Sequence, residues 1–80
     1  MSMKQPGLQE AYLNAMRKEK IPATFFLVNG FQMKGIVQAF DSFTIIIESG
    51  KDQDMIFKHA ISTIIPVTPL RLSDLAVAEE

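Results

Sequence analysis

Between residues 8 and 19 the apolar residues Leu8, Ala11, Tyr12, Ala15 and Met16 recur at spacings of three and four, the period of one stripe along an amphipathic helix. Pro22 disfavours helical backbone at Ile21, so the helix is expected to stop near Lys20. From Ala23 onward the period changes. Residues 23–28 are aromatic and branched, and Asn29-Gly30 predicts a tight hairpin turn because both residues tolerate positive φ. A second strand then starts at Phe31, with Phe31 and Met33 on one face and Gln32 and Lys34 on the other, until Gly35 permits a bulge or sharp bend. Asp41-Ser42 predicts the next turn, residues 43–48 a third strand, residues 50–52 a loop and residues 55–58 a fourth strand. His59-Ala60 predicts a tight corner, and residues 61–65 a last strand ending at Pro66, which cannot donate a ladder hydrogen bond.

One helix followed by five short strands predicts a mainly β domain: a small, strongly bent antiparallel barrel of SH3-like or OB-like type. We place the domain at residues 8–66, with a flexible N-terminus at 1–7 and a loosely held, acidic-ended tail at 67–80. Composition adds a constraint on assembly. An 80-residue chain buries only about 60% of its unfolded surface, yet 48% of these residues are hydrophobic and the mean hydropathy is positive. Association with further copies is the simplest outlet for that surplus. No apolar run approaches the roughly 18 residues of a membrane span, and the opening residues lack the apolar stretch of a signal peptide, so a cytoplasmic location is expected. Cysteine is absent, which excludes disulfides, thiol catalysis and cysteine-based zinc sites. The net charge of −1 argues against coating nucleic acid by bulk positive charge, so any such site must be local.

Three groups of residues carry candidate chemistry. Phe25, Phe26, Phe31 and Met33 flank the hairpin turn, and alternation along a strand prevents all of them from sharing one core. Those left outside, beside Gln32 and Lys34, would make a stacking platform for bases; the plainer alternative is packing inside the barrel. Arg17, Lys18 and Lys20 could reach phosphates, since positions 17 and 20 lie one turn apart on a helix, or could simply complement the helix C-terminal dipole. Lys58-His59, at a strand end, offers adjacent donors for RNA oxygens or uracil edges, although a lone histidine is more often structural. His59 with Asp41 could be imagined as a catalytic base and its orienting carboxylate, but no serine or second acid stands at a motif spacing, and one histidine makes no metal site. We therefore expect no enzyme, no metal and no cofactor.

The run Leu27-Val28-Asn29-Gly30-Phe31-Gln32-Met33-Lys34-Gly35 followed by Phe40-Asp41-Ser42-Phe43 resembles the first Sm signature. Phe57-Lys58-His59-Ala60-Ile61-Ser62-Thr63 resembles the second signature in the bacterial form whose Lys-His pair marks the Hfq family. The resemblance covers residues 8–66, while the tail beyond matches no motif we recognise. It implies an Sm-like, strongly bent five-stranded sheet whose fourth and fifth strands pair between neighbours to close a homohexameric ring. Such a ring would hold small regulatory RNA and messenger RNA as single strands and aid their pairing. By resemblance, uridine-rich RNA would be taken on the proximal face, around the pore, by Gln9, Asp41, Ser42, Phe43, Phe57, Lys58 and His59. Adenine-rich RNA would be taken on the distal face by Phe26, Asn29, Gly30, Phe31, Gln32, Met33, Lys34 and Thr63, in a pattern similar to that of Gram-positive relatives. Arg17, Lys18 and Lys20 would form a rim patch, with modest annealing activity because lysine lacks the planar fork of arginine. A purely peptide-binding scaffold using the same exposed aromatics is the other reading of the surface.

Overall fold

The computed structural model describes residues 7–71, 73 and 75. The expected flexible residues 1–6, and most of the acidic tail, lie outside the described residues. Helix α1, Leu8–Glu19, begins at Gly7, whose carbonyl accepts a hydrogen bond from the Ala11 N–H at 3.0 Å. It ends where Lys20 enters the left-handed region at φ 53 while the Lys20 and Ile21 N–H groups donate back to the carbonyls of Arg17 and Met16. That position usually falls to glycine, because a Cβ there costs conformational energy. The buried residues are Ala11, Leu13 and Met16. Leu13 was missed by spacing alone: it lies about 60° around the helix from Met16, so the covered arc is wider than one stripe. Leu8, expected inside, is 58% exposed because it sits in the first turn, at the mouth of a surface cleft.

Five strands follow: β1 Ala23–Leu27, β2 Gln32–Phe40, β3 Thr44–Ser49, β4 Asp52–Phe57 and β5 Ile61–Pro66. They form one antiparallel sheet in the order β4-β3-β2-β1-β5. The long β2 serves both halves: Gln32 to Gly35 pair with β1, and the rest with β3. At Gly35 the pairing of β2 passes from β1 to β3. A Cβ there would lie 2.7 Å from the Glu48 carbonyl oxygen, so only hydrogen fits. The bulge itself falls between Val37 and Ala39, three residues beyond the expected Gly35, with Gln38 as the unpaired residue. Close approach and register shift are thus assigned to different residues.

The first hairpin also differs from expectation. Only Gly30 takes positive φ, at 95°; its N–H donates to the Leu27 carbonyl, and the Leu27 N–H donates to the Phe31 carbonyl. The turn therefore spans residues 28–30, the three-residue type that ends on a left-handed glycine. Phe31 lies at its exit, outside β2. The β3–β4 turn is tighter than expected, since Gly50 at φ 61 lets Ser49 pair with Asp52 and so adds three residues to β4. The corner after β4 is a single 3₁₀ turn, Lys58–Ala60.

The core joins Leu13 and Met16 of α1 to Ala23, Phe25, Val37, Ile45, Ile47 and Ile56. Alternation puts these strand residues on the inner face and their neighbours outside. Beyond β5 the chain stays attached for several residues, with the Val67 N–H donating to the Pro22 carbonyl and Leu70 packed against the core. Within this chain β4 and β5 each have one unpaired edge, and Met55, Phe57 and Ile65 on them are 63%, 54% and 52% exposed.

Candidate nucleic-acid interface

The β2–β3 turn is organised by one carboxylate. Asp41 Oδ1 accepts from the Phe43 N–H, the Thr44 N–H and the Thr44 hydroxyl, each at 2.8 Å. The Phe43 N–H, the Thr44 hydroxyl and the Thr44 N–H, in that order, hold its pKa below the usual aspartate value, with Lys58 a smaller contribution. Asp41 therefore shapes the turn, and its hydrogen bonds go to Phe43 and Thr44 and not to His59. The turn leaves Ser42 exposed and Phe43 75% exposed, while the Lys58 N–H donates to the Phe43 carbonyl at 2.8 Å. That bond ties the aromatic turn to the 3₁₀ corner. Lys58 Nζ lies 5.4 Å from the centroid of the Phe40 ring, and His59 stacks on Phe57 at 5.7 Å between centroids with planes 10° apart. Gln9 is exposed on the first turn of α1 and lines, with Lys58, Tyr12 and Thr63, an open cleft of about 400 Å³. Aromatic faces, an ammonium and an imidazole are thus grouped, able to stack a base and donate to its oxygens.

The second group lies on the outward surface of β1, β2 and β5. Cross-strand register places Phe26 opposite Gln32 on one side and Thr63 on the other, making one row across three strands. The next row outward along β1 is Lys34, Thr24 and Ile65. Met33 stands apart: it pairs with fully buried Phe25 and packs half-buried against the core, so it shares the inner face. Phe31 is 69% exposed beside Gly30. Asn29 Oδ1 accepts from the Phe31 N–H at 3.0 Å, so Asn29 spends that acceptor on holding the turn.

The basic group does not form one helical row. Lys20, in the left-handed cap, has left the helix; Arg17 and Lys18 remain on it, and Arg17 donates to Asn14 Oδ1. Phe40, Tyr12 and Ser62 were missed as neighbours of these groups. Phe40 is close to Lys58 only through the fold, although its place beside Asp41 in the signature was a usable hint. Among the described residues, no group of three or more His, Asp or Glu side chains could hold a metal, and no helix is long and apolar enough to cross a membrane.

A helix followed by a five-stranded antiparallel sheet, bent through a shared second strand and carrying aromatic and cationic residues at its strand ends, defines the chain as an Sm-like domain. The family model described as "Hfq protein" matches residues 8–71, and the chain belongs to the Hfq family. That match runs past the motif resemblance, which stopped at Pro66, into the segment that Val67 and Leu70 attach to the domain. Among relatives named RNA-binding protein Hfq, the one from Syntrophomonas wolfei is 55% identical over 94% of this chain and 92% of its own length. The one from Carboxydothermus hydrogenoformans is 59% identical over 88% of this chain and 82% of its own. A crystal structure described as the pleiotropic translational regulator Hfq superposes with a TM-score of 0.71 at 36% identity, covering 74% of this chain and 89% of that one. The family is one of RNA-binding proteins and not of enzymes.

Proposed function

We propose that the chain works in the cytoplasm as a homohexameric ring that holds single-stranded RNA and supports the pairing of small regulatory RNAs with messenger RNAs. Uridine-rich RNA is held at Phe43, Lys58 and His59, with Gln9, Asp41, Ser42 and Phe57 around them. Adenine-rich RNA is held on the other surface at Phe26, Phe31, Gln32, Lys34 and Thr63, with Met33, Asn29 and Gly30 supporting from behind and from the turn. Arg17, Lys18 and Lys20 contribute weaker phosphate contacts at the rim.

The observation that carries this reading is the grouping of exposed Phe43 with Lys58 and His59, side chains that neither serve the core nor neutralise one another. Six copies around one axis would concentrate that positive charge although each chain is net −1. The unpaired edges of β4 and β5 with exposed Met55, Phe57 and Ile65 favour closure between copies, which removes open strand edges. The names of the relatives, RNA-binding protein Hfq, and the description of the solved neighbour as a translational regulator support the same reading.

Native mass spectrometry with titrations of labelled oligo-U, oligo-A and oligo-C tests it. The expected result is a hexamer that binds oligo-U and oligo-A at sites that do not compete. A dominant monomer or dimer refutes the ring. Binding to none of the oligonucleotides refutes the RNA reading in favour of a peptide scaffold.

A further inference from the structure

The chain has two asparagines, and they stand in opposite settings. Asn14 lies inside α1, is followed by Ala15, and accepts a hydrogen bond from Arg17. Asn29 is exposed in the first hairpin turn and is followed by Gly30. Glycine has no Cβ to shield its backbone nitrogen, and nothing lies within 4 Å of where one would stand. The Gly30 nitrogen can therefore reach the Asn29 side chain. Its attack forms a bond to Asn29 Cγ and closes a succinimide ring, while the side-chain nitrogen leaves as ammonia. Water then opens the ring at either carbonyl, giving aspartate or isoaspartate, the latter with its backbone routed through the side-chain carbon. Both products gain a carboxylate, and water is the sole co-reactant.

The closed turn ties up both reacting groups. The Gly30 N–H donates to the Leu27 carbonyl at 2.9 Å, and Asn29 Oδ1 accepts from the Phe31 N–H at 3.0 Å. A nitrogen that is donating must be released before it attacks, so the reaction waits for the turn to open. Two hydrogen bonds of ordinary net strength should slow it about tenfold against an open chain. The products differ in what they do to the turn. Aspartate keeps the bond from the Phe31 N–H, now charge-assisted, but sets a negative charge beside exposed Phe31 and Gln32. Isoaspartate lengthens the backbone by one carbon, which the three-residue turn cannot absorb without moving Phe31.

We propose that Asn29 is a site of spontaneous deamidation in the folded protein, timed by opening of the turn between Leu27 and Phe31, and that its conversion weakens RNA binding on the surface to which Phe31 belongs. The second half rests on the reading that this surface binds adenine-rich RNA.

The test incubates the full-length native protein, alone or saturated with oligo-A or oligo-U, beside the same chain unfolded in guanidinium. The tryptic peptide 21–34 is followed by mass spectrometry for the gain of replacing NH₂ by OH, and isoaspartyl methyltransferase labelling reports isoaspartate. Conversion is expected at Asn29 and not at Asn14, about tenfold slower in the native protein than in the unfolded chain, and slower again under oligo-A but not oligo-U. No conversion of Asn29 in the native protein, or Asn14 keeping pace with it, overturns the site; equal rates in native and unfolded protein overturn the control by the turn. Converted protein, separated by charge, should bind oligo-A about tenfold more weakly through displaced stacking and oligo-U unchanged. Asn29→Asp supplies the charge alone, and its smaller oligo-A deficit should narrow as salt screens it. If Phe31→Ala weakens oligo-A while converted protein binds it like the parent, the surface stands and the effect on binding is refuted. If Phe31→Ala also leaves oligo-A unchanged, that effect falls with the surface, and the mass measurement still decides the site.

Discussion

Gly35→Ala is the sharpest test of how the sheet is bent. The added Cβ would lie 2.7 Å from the Glu48 carbonyl oxygen, 3.2 Å from its carbonyl carbon and 3.4 Å from Ile47 Cβ. The first contact is shorter than real Cβ atoms tolerate, and the obstacle is backbone. β3 cannot simply swing aside, because Glu48 is paired with β2 on one side and β4 on the other. Opening the gap by several tenths of an ångström strains ladder hydrogen bonds on both sides, an overpacking cost of about 1–3 kcal/mol. At roughly 4–8 °C per kcal/mol for a domain this size, the melting temperature should fall by about 4–24 °C. Thermal and urea unfolding should be followed by circular dichroism at one fixed protomer concentration, since association shifts apparent stability. Gly30→Ala is the companion: nothing lies within 4 Å of its added Cβ, so its cost comes from the 95° φ alone, roughly 1 kcal/mol. A Gly35→Ala protein melting within about 2 °C of the parent would refute the close approach as the reason for glycine.

Phe31→Ala should weaken oligo-A binding by about 1–3 kcal/mol through lost stacking and spare oligo-U; loss of the ring, seen by light scattering, would show that Phe31 is structural. Lys58→Ala should weaken short oligo-U strongly and oligo-A little, with a salt slope shallower by about 0.7 for each phosphate that the variant no longer engages; unchanged oligo-U affinity in salt titrations removes Lys58 from that site. Asp41 has a lowered folded-state pKa, so its contribution is complete above the ordinary aspartate value and is lost as pH falls through the lowered one. Asp41→Ala should therefore destabilise the protein near neutrality and flatten the acid side of its stability curve; an acid limb as steep as the parent's contradicts this. Lys20→Gly should raise stability by roughly 0.5–1 kcal/mol by relieving a left-handed lysine at the helix end, and an unchanged or lower urea midpoint would count against the strain.

The order of elements was legible because hydrophobic period, proline and turn residues act over a few neighbours. A stripe at spacings of three and four gives α1, Pro22 stops it, and Gly30 and Gly50 mark the reversals. Phe43, Lys58 and His59 were legible as candidates through their signatures, and the fold brings Phe43 and Lys58 within one hydrogen bond. Tertiary structure decided what depends on contact across the sheet. Leu13 became core because the sheet covers a wider arc of the helix than spacing implies, and Met33 turned inward because register pairs it with Phe25. The bulge falls at Gln38, while Gly35 is needed for the approach to Glu48. Phe40 beneath Lys58 and the side-chain hydrogen bonds from Gln53 to Gln38 and from Gln38 to Glu48 join residues 10 to 18 positions apart, brought together by strand pairing. Local patterning specifies which face a residue can take; which residues then touch is set by register and bend, and these are properties of the folded sheet.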